Sequence, residues 1–327
     1  MIATHDDFRL PAEWEPQSGV QLTWPHTKTD WAPMLDEVTK TYEAMAREIR
    51  QREPLLVVGP PTDDTWARDH GFITLVNPHG DIRLLDFCFN GWGEKFASEQ
   101  DNAINRRLYD EGAVLGEYAN HLDFVLEGGA IESDGQGTVF TTTCCLLAPH
   151  RNQPLTKDEI GQQLKQRLCA KRILWIDHGR LAGDDTDGHI DTLVRIAPDD
   201  TLLYVSCDDP SDEHYHELQL MEEQLRTFRT LDGRPYRLLR LPMPHPIYDA
   251  DDNTRLPATY ANFLVINGAV LCPTYGQPES DRQALAIIGN AFPDRETVGI
   301  DCRSLIRQHG SLHCCTMQFP TGVLKTR

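Results

Sequence analysis

The chain has 327 residues, 40% of them apolar and 25% charged, an ordinary globular composition long enough to bury a sizeable core. Fifty acidic residues against 31 basic give a formal charge of −19, which argues against nucleic acid or an anionic membrane as partner and favours cationic ligands by electrostatic steering. Residues Met1 to Leu10 lack a basic-then-apolar signal pattern, no apolar run reaches the ~18 residues of a membrane span, and nine scattered cysteines without CxxC pairs point to a reducing cytoplasm.

In chain order, Leu35, Val38, Tyr42, Met45 and Ile49 recur at helical spacing, and Pro54 follows as a stop. Strands are expected at 55–58, 72–76 and 82–89, then a polar helix near 98–109. Segments 138–143 and 145–148 read as paired strands and 157–168 as a helix. Strands follow at 172–176, 192–196 and 202–206. Leu218, Met221, Leu225 and Phe228 form another helical stripe. Strands near 238–241, 263–266 and 270–272 precede a helix containing Ala284, Ile287 and Ala291, and a strand near 312–318 closes the chain. Adjacent strand pairs imply antiparallel neighbours, so a purely parallel doubly wound sheet is disfavoured. No linker-like stretch divides residues 1–327, which read as one domain. Neither GxGxxG nor GxxxxGK[ST] occurs, so no nucleotide cofactor is expected.

Four polar clusters sit beside strand-like segments: Trp66 to Gly71, Leu126 to Gly129, Asp184 to Asp191 and Gly310 to Thr316. Asp69, Glu127 and His189 fall at steps of roughly 60 residues, and Cys314 two such steps later, the spacing of a repeated unit that presents one polar loop per copy. The missing member falls near Asp251 and Asp252. His189 and Asp191, two apart, share a face if extended, as an acid–base histidine beside a substrate-holding carboxylate would; DDTDG is equally good turn chemistry. Trp66 and Asp69 read either as an aromatic face and carboxylate for a planar cation or as a core tryptophan with a capping aspartate. Glu127 before Gly128-Gly129 offers a further carboxylate in a tight bend. Of the adjacent Cys314 and Cys315, a strand would turn one toward a site and one away. A zinc site built on His313, Cys314 and Cys315 is the rival, weakened by that divergence and by the missing CxxC.

Taken together these motifs resemble the agmatine deiminase family, within the guanidino-group-modifying superfamily that also holds arginine and peptidylarginine deiminases. The resemblance runs from Pro11-Ala12-Glu13-Trp14-Glu15-Pro16 and Trp24-Pro25 through Trp66-Ala67-Arg68-Asp69, Phe89-Asn90-Gly91-Trp92-Gly93, Glu127-Gly128-Gly129 and Gly188-His189-Ile190-Asp191. It continues through Tyr260-Ala261-Asn262-Phe263 and Asn267-Gly268 to His313-Cys314. It implies an α/β fold, a five-bladed propeller of ββαβ units around a central polar channel. It further implies Cys314 as nucleophile, His189 as general acid/base, Asp69 and Asp191 as clamps on a guanidinium, and Glu127 beside His189. Trp66 and Trp92 would pack on the substrate. The expected partner is a small cationic guanidino compound, agmatine first and another guanidino compound or a peptidylarginine second, with no metal or organic cofactor. A homo-oligomer is compatible with the sequence. The same propeller also serves as a noncatalytic binding module, which has no reason to assemble the cysteine, histidine and carboxylates. The chain departs from the family at His309-Gly310-Ser311-Leu312, where a glycine-rich GGGN usually precedes the His-Cys, and at His70-Gly71-Phe72, where Gly-Pro is common.

Overall fold

The computed structural model describes residues 7–325, so Met1 to Asp6, part of the stretch read above for a targeting signal, lie outside it. Five three-stranded sheets form the fold, each an antiparallel pair extended by a parallel third strand. The first complete sheet joins β3 (Ile73–Val76), β4 (Ile82–Cys88) and β5 (Glu117–Val125); here β1 is Gln17–Thr23 and β2 is Leu55–Val58. The next joins β6 (Ile131–Ser133), β7 (Thr138–Thr142) and β8 (Arg172–Ile176). It is followed by β9 (Val194–Ala197), β10 (Thr201–Ser206) and β11 (Arg237–Pro242), then by β12 (Leu264–Ile266), β13 (Ala269–Thr274) and β14 (Glu296–Asp301). The fifth is built from both ends of the chain: β15 (Thr316–Pro320) pairs antiparallel with β1, and β1 pairs parallel with β2.

A parallel partner needs a crossover, and in each sheet a helix supplies it. These are α1 (Leu35–Arg50), α2 (Ile104–Asp110), α3 (Lys157–Arg167), α4 (Tyr215–Thr227) and α5 (Pro278–Ala291). Val38, Tyr42, Met45 and Ile49 of α1 are all fully buried, so the periodic stripe is the core face. Thr156 and Glu159 start α3 with a reciprocal capping box. The first strand of each unit is buried along most of its length, whereas the third is largely half-exposed. The units are therefore ββαβ blades of a five-bladed propeller, with first strands innermost. No helix among the described residues is long and apolar enough to cross a membrane.

Several expected elements are corrected. Cys145 to Ala148 is not a strand; Thr143–Leu146 is a helical turn, because β7 has reached the rim and the chain must reverse toward α3. The polar helix near 98–109 divides into Glu99–Asn102 and α2. The closing strand starts later, and His313–Cys315 is one turn of 3-10 helix.

Candidate active site

Each blade enters its inner strand from a short segment that carries one polar group toward the propeller axis. Ala67–His70 carries Asp69 into β3, and Gly128–Ala130 follows Glu127 into β6. Ile190–Thr192 follows His189 and carries Asp191 into β9, and His313–Cys315 carries Cys314 into β15. The fourth blade contributes Asn262, just ahead of β12, which accepts hydrogen bonds at Oδ1 from the backbone N–H of His313 (2.9 Å) and Cys314 (3.3 Å). Asp251 and Asp252, the expected fifth members, lie instead in an exposed loop, with Asp251 4.0 Å from Arg307. The regular spacing located the blade but not its polar member, which is Asn262, immediately ahead of the inner strand, and not Asp251 or Asp252.

The five side chains of the other four blades converge. Asp69 accepts from Trp92 Nε1 at 2.9 Å and from the Gly129 N–H at 3.1 Å, while its Oδ1 lies 3.6 Å from His189 Nδ1, too far for a hydrogen bond. Gly129 is required by this approach: a Cβ there would sit 2.5 Å from His189 Nδ1 and 2.9 Å from Asp69 Oδ1. Burial, the largest influence, lifts the Asp69 carboxyl to about 6 despite the opposing pull of His189. Asp191 is equally buried, yet it is held below the usual range because His313 Nδ1, 2.7 Å away, outweighs the desolvation. Its second oxygen, Oδ1, has no protein partner.

His189 is fully buried and neither ring nitrogen is hydrogen-bonded. Glu127, also fully buried, accepts from Arg151 Nε at 2.8 Å through Oε1 and leaves Oε2 without a partner. The Cys314 Sγ lies 3.4 Å from Asn262 Oδ1 and 3.9 Å from Asp191 Oδ2. Burial, and then the charges of Asp191 and Asp69, hold its thiol well above the ordinary value. Cys315 is fully buried against Tyr42. The two cysteines do diverge as expected, but through a 3-10 turn rather than strand alternation.

Cys314 and Asp69 open onto a pocket of about 560 Å³, counting its mouth, lined also by Trp66, Trp92, Phe96 and Gly310. Trp92 takes a left-handed backbone between two glycines (φ 56°, ψ 47°), which aims its indole at Asp69. Gly310 lies against the Trp66 ring, where a Cβ would come within 2.3 Å of it. Asp30, Asp64 and Asp185 complete the acidic lining, and it holds no lysine or arginine. His309, a family departure, also lines it and adopts a left-handed backbone of the kind glycine favours (φ 66°).

A second buried cluster shares no lining residue with this pocket. Glu13 Oε2 accepts from His313 Nε2 (2.7 Å) and Arg195 Nη2 (2.9 Å); Arg195 also bonds Glu132 through Nε and the Ala261 and Phe263 carbonyls through Nη1. Each ring nitrogen of His313 thus faces a carboxylate, Asp191 at Nδ1 and Glu13 at Nε2. Sequence reading missed Arg151 and Arg195, gave Asn262 no role, and gave His313 only that of a rival zinc ligand. The available signal was Arg195 alone in the apolar run Leu193-Val194-Arg195-Ile196, since a charge on an inner strand must be paired. The rival zinc set of His313, Cys314 and Cys315 is dispersed, His313 being turned to carboxylates and Cys315 to Tyr42.

Comparison with known proteins agrees with this arrangement. Residues 9–320 match the model of the Porphyromonas-type peptidyl-arginine deiminase family. A crystal structure from Porphyromonas gingivalis, provisionally described as an arginine deiminase, superposes with a TM-score of 0.92 at 50% identity, covering 97% of this chain and 100% of that one. A cysteine-to-serine variant of C. jejuni agmatine deiminase, solved with substrate bound, gives 0.89 at 37% identity over 96% of this chain and 97% of that one. The agmatine deiminase of Pseudomonas aeruginosa strain LESB58 is 31% identical over 96% of both chains.

Proposed function

This chain belongs to the Porphyromonas-type peptidyl-arginine deiminase family, and from that premise we propose that it converts agmatine to N-carbamoylputrescine and ammonia. It is a hydrolase of carbon–nitrogen bonds in linear amidines, a guanidino-group deiminase. The observation that carries the substrate choice is the pocket lining. Asp30, Asp64 and Asp185 lie beyond the guanidinium, and among the described residues no lysine or arginine lines the pocket, Lys95 being turned to the Asp185 carbonyl and to Asp187. An α-carboxylate would face like charges, whereas the second ammonium of agmatine meets opposite ones.

In this reading the guanidinium lies between Asp69 and Asp191 Oδ1, flanked by Trp66 and Trp92, with its central carbon toward Cys314. Two carboxylates fix the plane of the cation and hold the reacting atoms in register. The resting thiol is neutral, and the bound cation supplies the positive charge that favours thiolate. His189 takes the Cys314 proton as sulfur attacks carbon. It returns that proton to the departing nitrogen, so ammonia leaves and an amidino-thioether remains. A water then attacks, giving one proton to His189, and collapse expels the Cys314 sulfur, which takes the adduct's remaining hydroxyl proton and returns as thiol as the ureido product forms. Glu127, pinned by Arg151, stands beside His189 with a free oxygen ready to accept from it once His189 has taken the Cys314 proton. Residues 1–327 act as one deiminase domain, and its free thiol chemistry suits a reducing cytoplasm.

The test is release of ammonia and ureido product from agmatine, arginine and a peptidylarginine under identical conditions. Agmatine is expected to give the highest kcat/KM. Equal or faster turnover of arginine overturns the substrate assignment, and preference for the peptide supports the family's other guanidino chemistry.

A further inference from the structure

Next to Asp69, Glu127 and His189 meet a third side chain, Cys145, for which deimination has no use. Glu127, Cys145 and His189 each place one donor atom within 4.8 Å of the other two, and all three are fully buried. Cys145 comes from the helical turn Thr143–Leu146, Glu127 from the entry to β6, and His189 from the entry to β9. Two independent details point to a cation. Glu127 Oε2 and both nitrogens of His189 have no hydrogen-bond partner although they are sealed from solvent, which is rare for groups of this polarity. Glu127 is also held from behind by Arg151, itself fixed to Asp187 Oδ2 (2.8 Å) and the Thr186 carbonyl (2.9 Å), the outer support that orients a ligating carboxylate.

We propose that Glu127, Cys145 and His189 form a site for a thiophilic divalent cation of the zinc class, and that its occupancy silences the enzyme by taking His189 out of acid–base service. One sulfur, one imidazole nitrogen and one carboxylate oxygen suit zinc, which accepts three protein ligands and an open fourth position. Bond lengths of about 2.0–2.3 Å place tetrahedral donors roughly 3.3–3.8 Å apart, so side-chain adjustments on the order of 1 Å close the site. Asp69, whose Oδ1 is 3.6 Å from His189 Nδ1, adds negative charge beside it. Arg151 opposes the cation, but its charge is shared between Glu127 and Asp187. On binding, the Cys145 S–H bond breaks, a metal–sulfur bond forms, and one proton passes to solvent; His189 and Glu127 give lone pairs and nothing is oxidised. The silencing, though not the binding, rests on His189 being the acid–base group.

The experiment uses full-length protein with Zn²⁺ and Co²⁺ as probes. Equilibrium dialysis of Cys314→Ala protein, which lacks the pocket's other thiol, is expected to show one zinc per chain. Its cobalt form is expected to show thiolate-to-metal absorption. Cys145→Ala is expected to keep basal turnover, to lose that absorption, and to need at least ~100-fold more zinc for inhibition. If Cys145→Ala does not fold, Cys145→Ser, close in volume, carries the same expectation. Zinc bound at one per chain without loss of turnover upholds the site and removes His189 from the mechanism. Zinc binding that vanishes in Cys314→Ala and persists in Cys145→Ala, or no binding by the parent protein, overturns the proposal.

Discussion

The propeller buries two clusters of charge, and they are finished differently. Around Arg195 almost every donor is matched: Glu13, Glu132 and two carbonyls take its guanidinium, and Glu13 and Asp191 take both faces of His313. Arg68 is less well matched, its Nε and Nη2 making no hydrogen bond although Nη2 lies 3.9 Å from Glu13 Oε2. Around Cys314 the pattern reverses. His189, Glu127 Oε2 and Asp191 Oδ1 are sealed from solvent and left open, a costly state that persists only where something else completes the bonds. Buried charge by itself therefore says little about function here. Incomplete buried charge lies on the side where the proposed mechanism puts the chemistry, and His313 joins the two.

The sharpest way to break this contrast is to change one residue on each side. Cys314→Ser is expected to lower deimination about a thousandfold or more, measured as ammonia release, while leaving the melting temperature near that of the parent. Glu132→Gln should do the opposite. It leaves Arg195 short of a counter-charge and is expected to cost about 3–5 kcal/mol in urea unfolding, with kcat of the folded fraction little changed. A large loss of kcat from Glu132→Gln would erase the distinction. His313→Gln, at the junction, is expected to raise KM about 10–100-fold more than it lowers kcat, because Asp191 loses its anchor while the nucleophile remains.

Titration sharpens the comparison, since the two sides respond to acid with opposite signs. Although burial opposes it, the charges of His313 and Arg195 hold Glu13 far below its ordinary 4.5, so its contribution to stability is present above that value and lost as pH falls below it. The melting-temperature gap between parent and Glu13→Gln should accordingly shrink below pH 4.5. Asp69 is raised from 3.8 to about 6, so acidifying through that window favours the folded state while discharging the clamp. A kcat/KM profile falling below about pH 6, with no matching loss of stability there, is the expected signature. The smallest effect belongs to Cys315→Ser, expected to cost roughly 1 kcal/mol by placing a hydroxyl in an apolar site, with substantial activity kept.

Much of the fold could be read from the sequence, and the omissions have a common cause. Strands with buried apolar runs, such as β9, β10 and β13, were found. The edge strands β5, with Glu117, Asn120 and Asp123, and β14, with Glu296 and Asp301, carry too much polarity to stand out. Strand β6 is only Ile-Glu-Ser, and β1 hides behind a proline-flanked start. Asp69, Glu127, His189, Asp191 and Cys314, which the fold brings together, could be singled out because each sits in a glycine- or aromatic-marked motif just ahead of an inner strand. Asn262 lacked a charge to announce it, and the partners of His313 lie some 120 to 300 positions away, distances that only the closed ring brings together.

That ring is closed by β15 lying against β1, which places the strand following Cys314 beside the strand nearest the amino terminus. During synthesis the earlier blades can pair as they leave the ribosome, but the last sheet must wait until residues beyond 316 emerge. The thiol that attacks in the proposed mechanism is thus delivered at the final step of folding, onto a scaffold already built, well after the carboxylates and histidine it would work with.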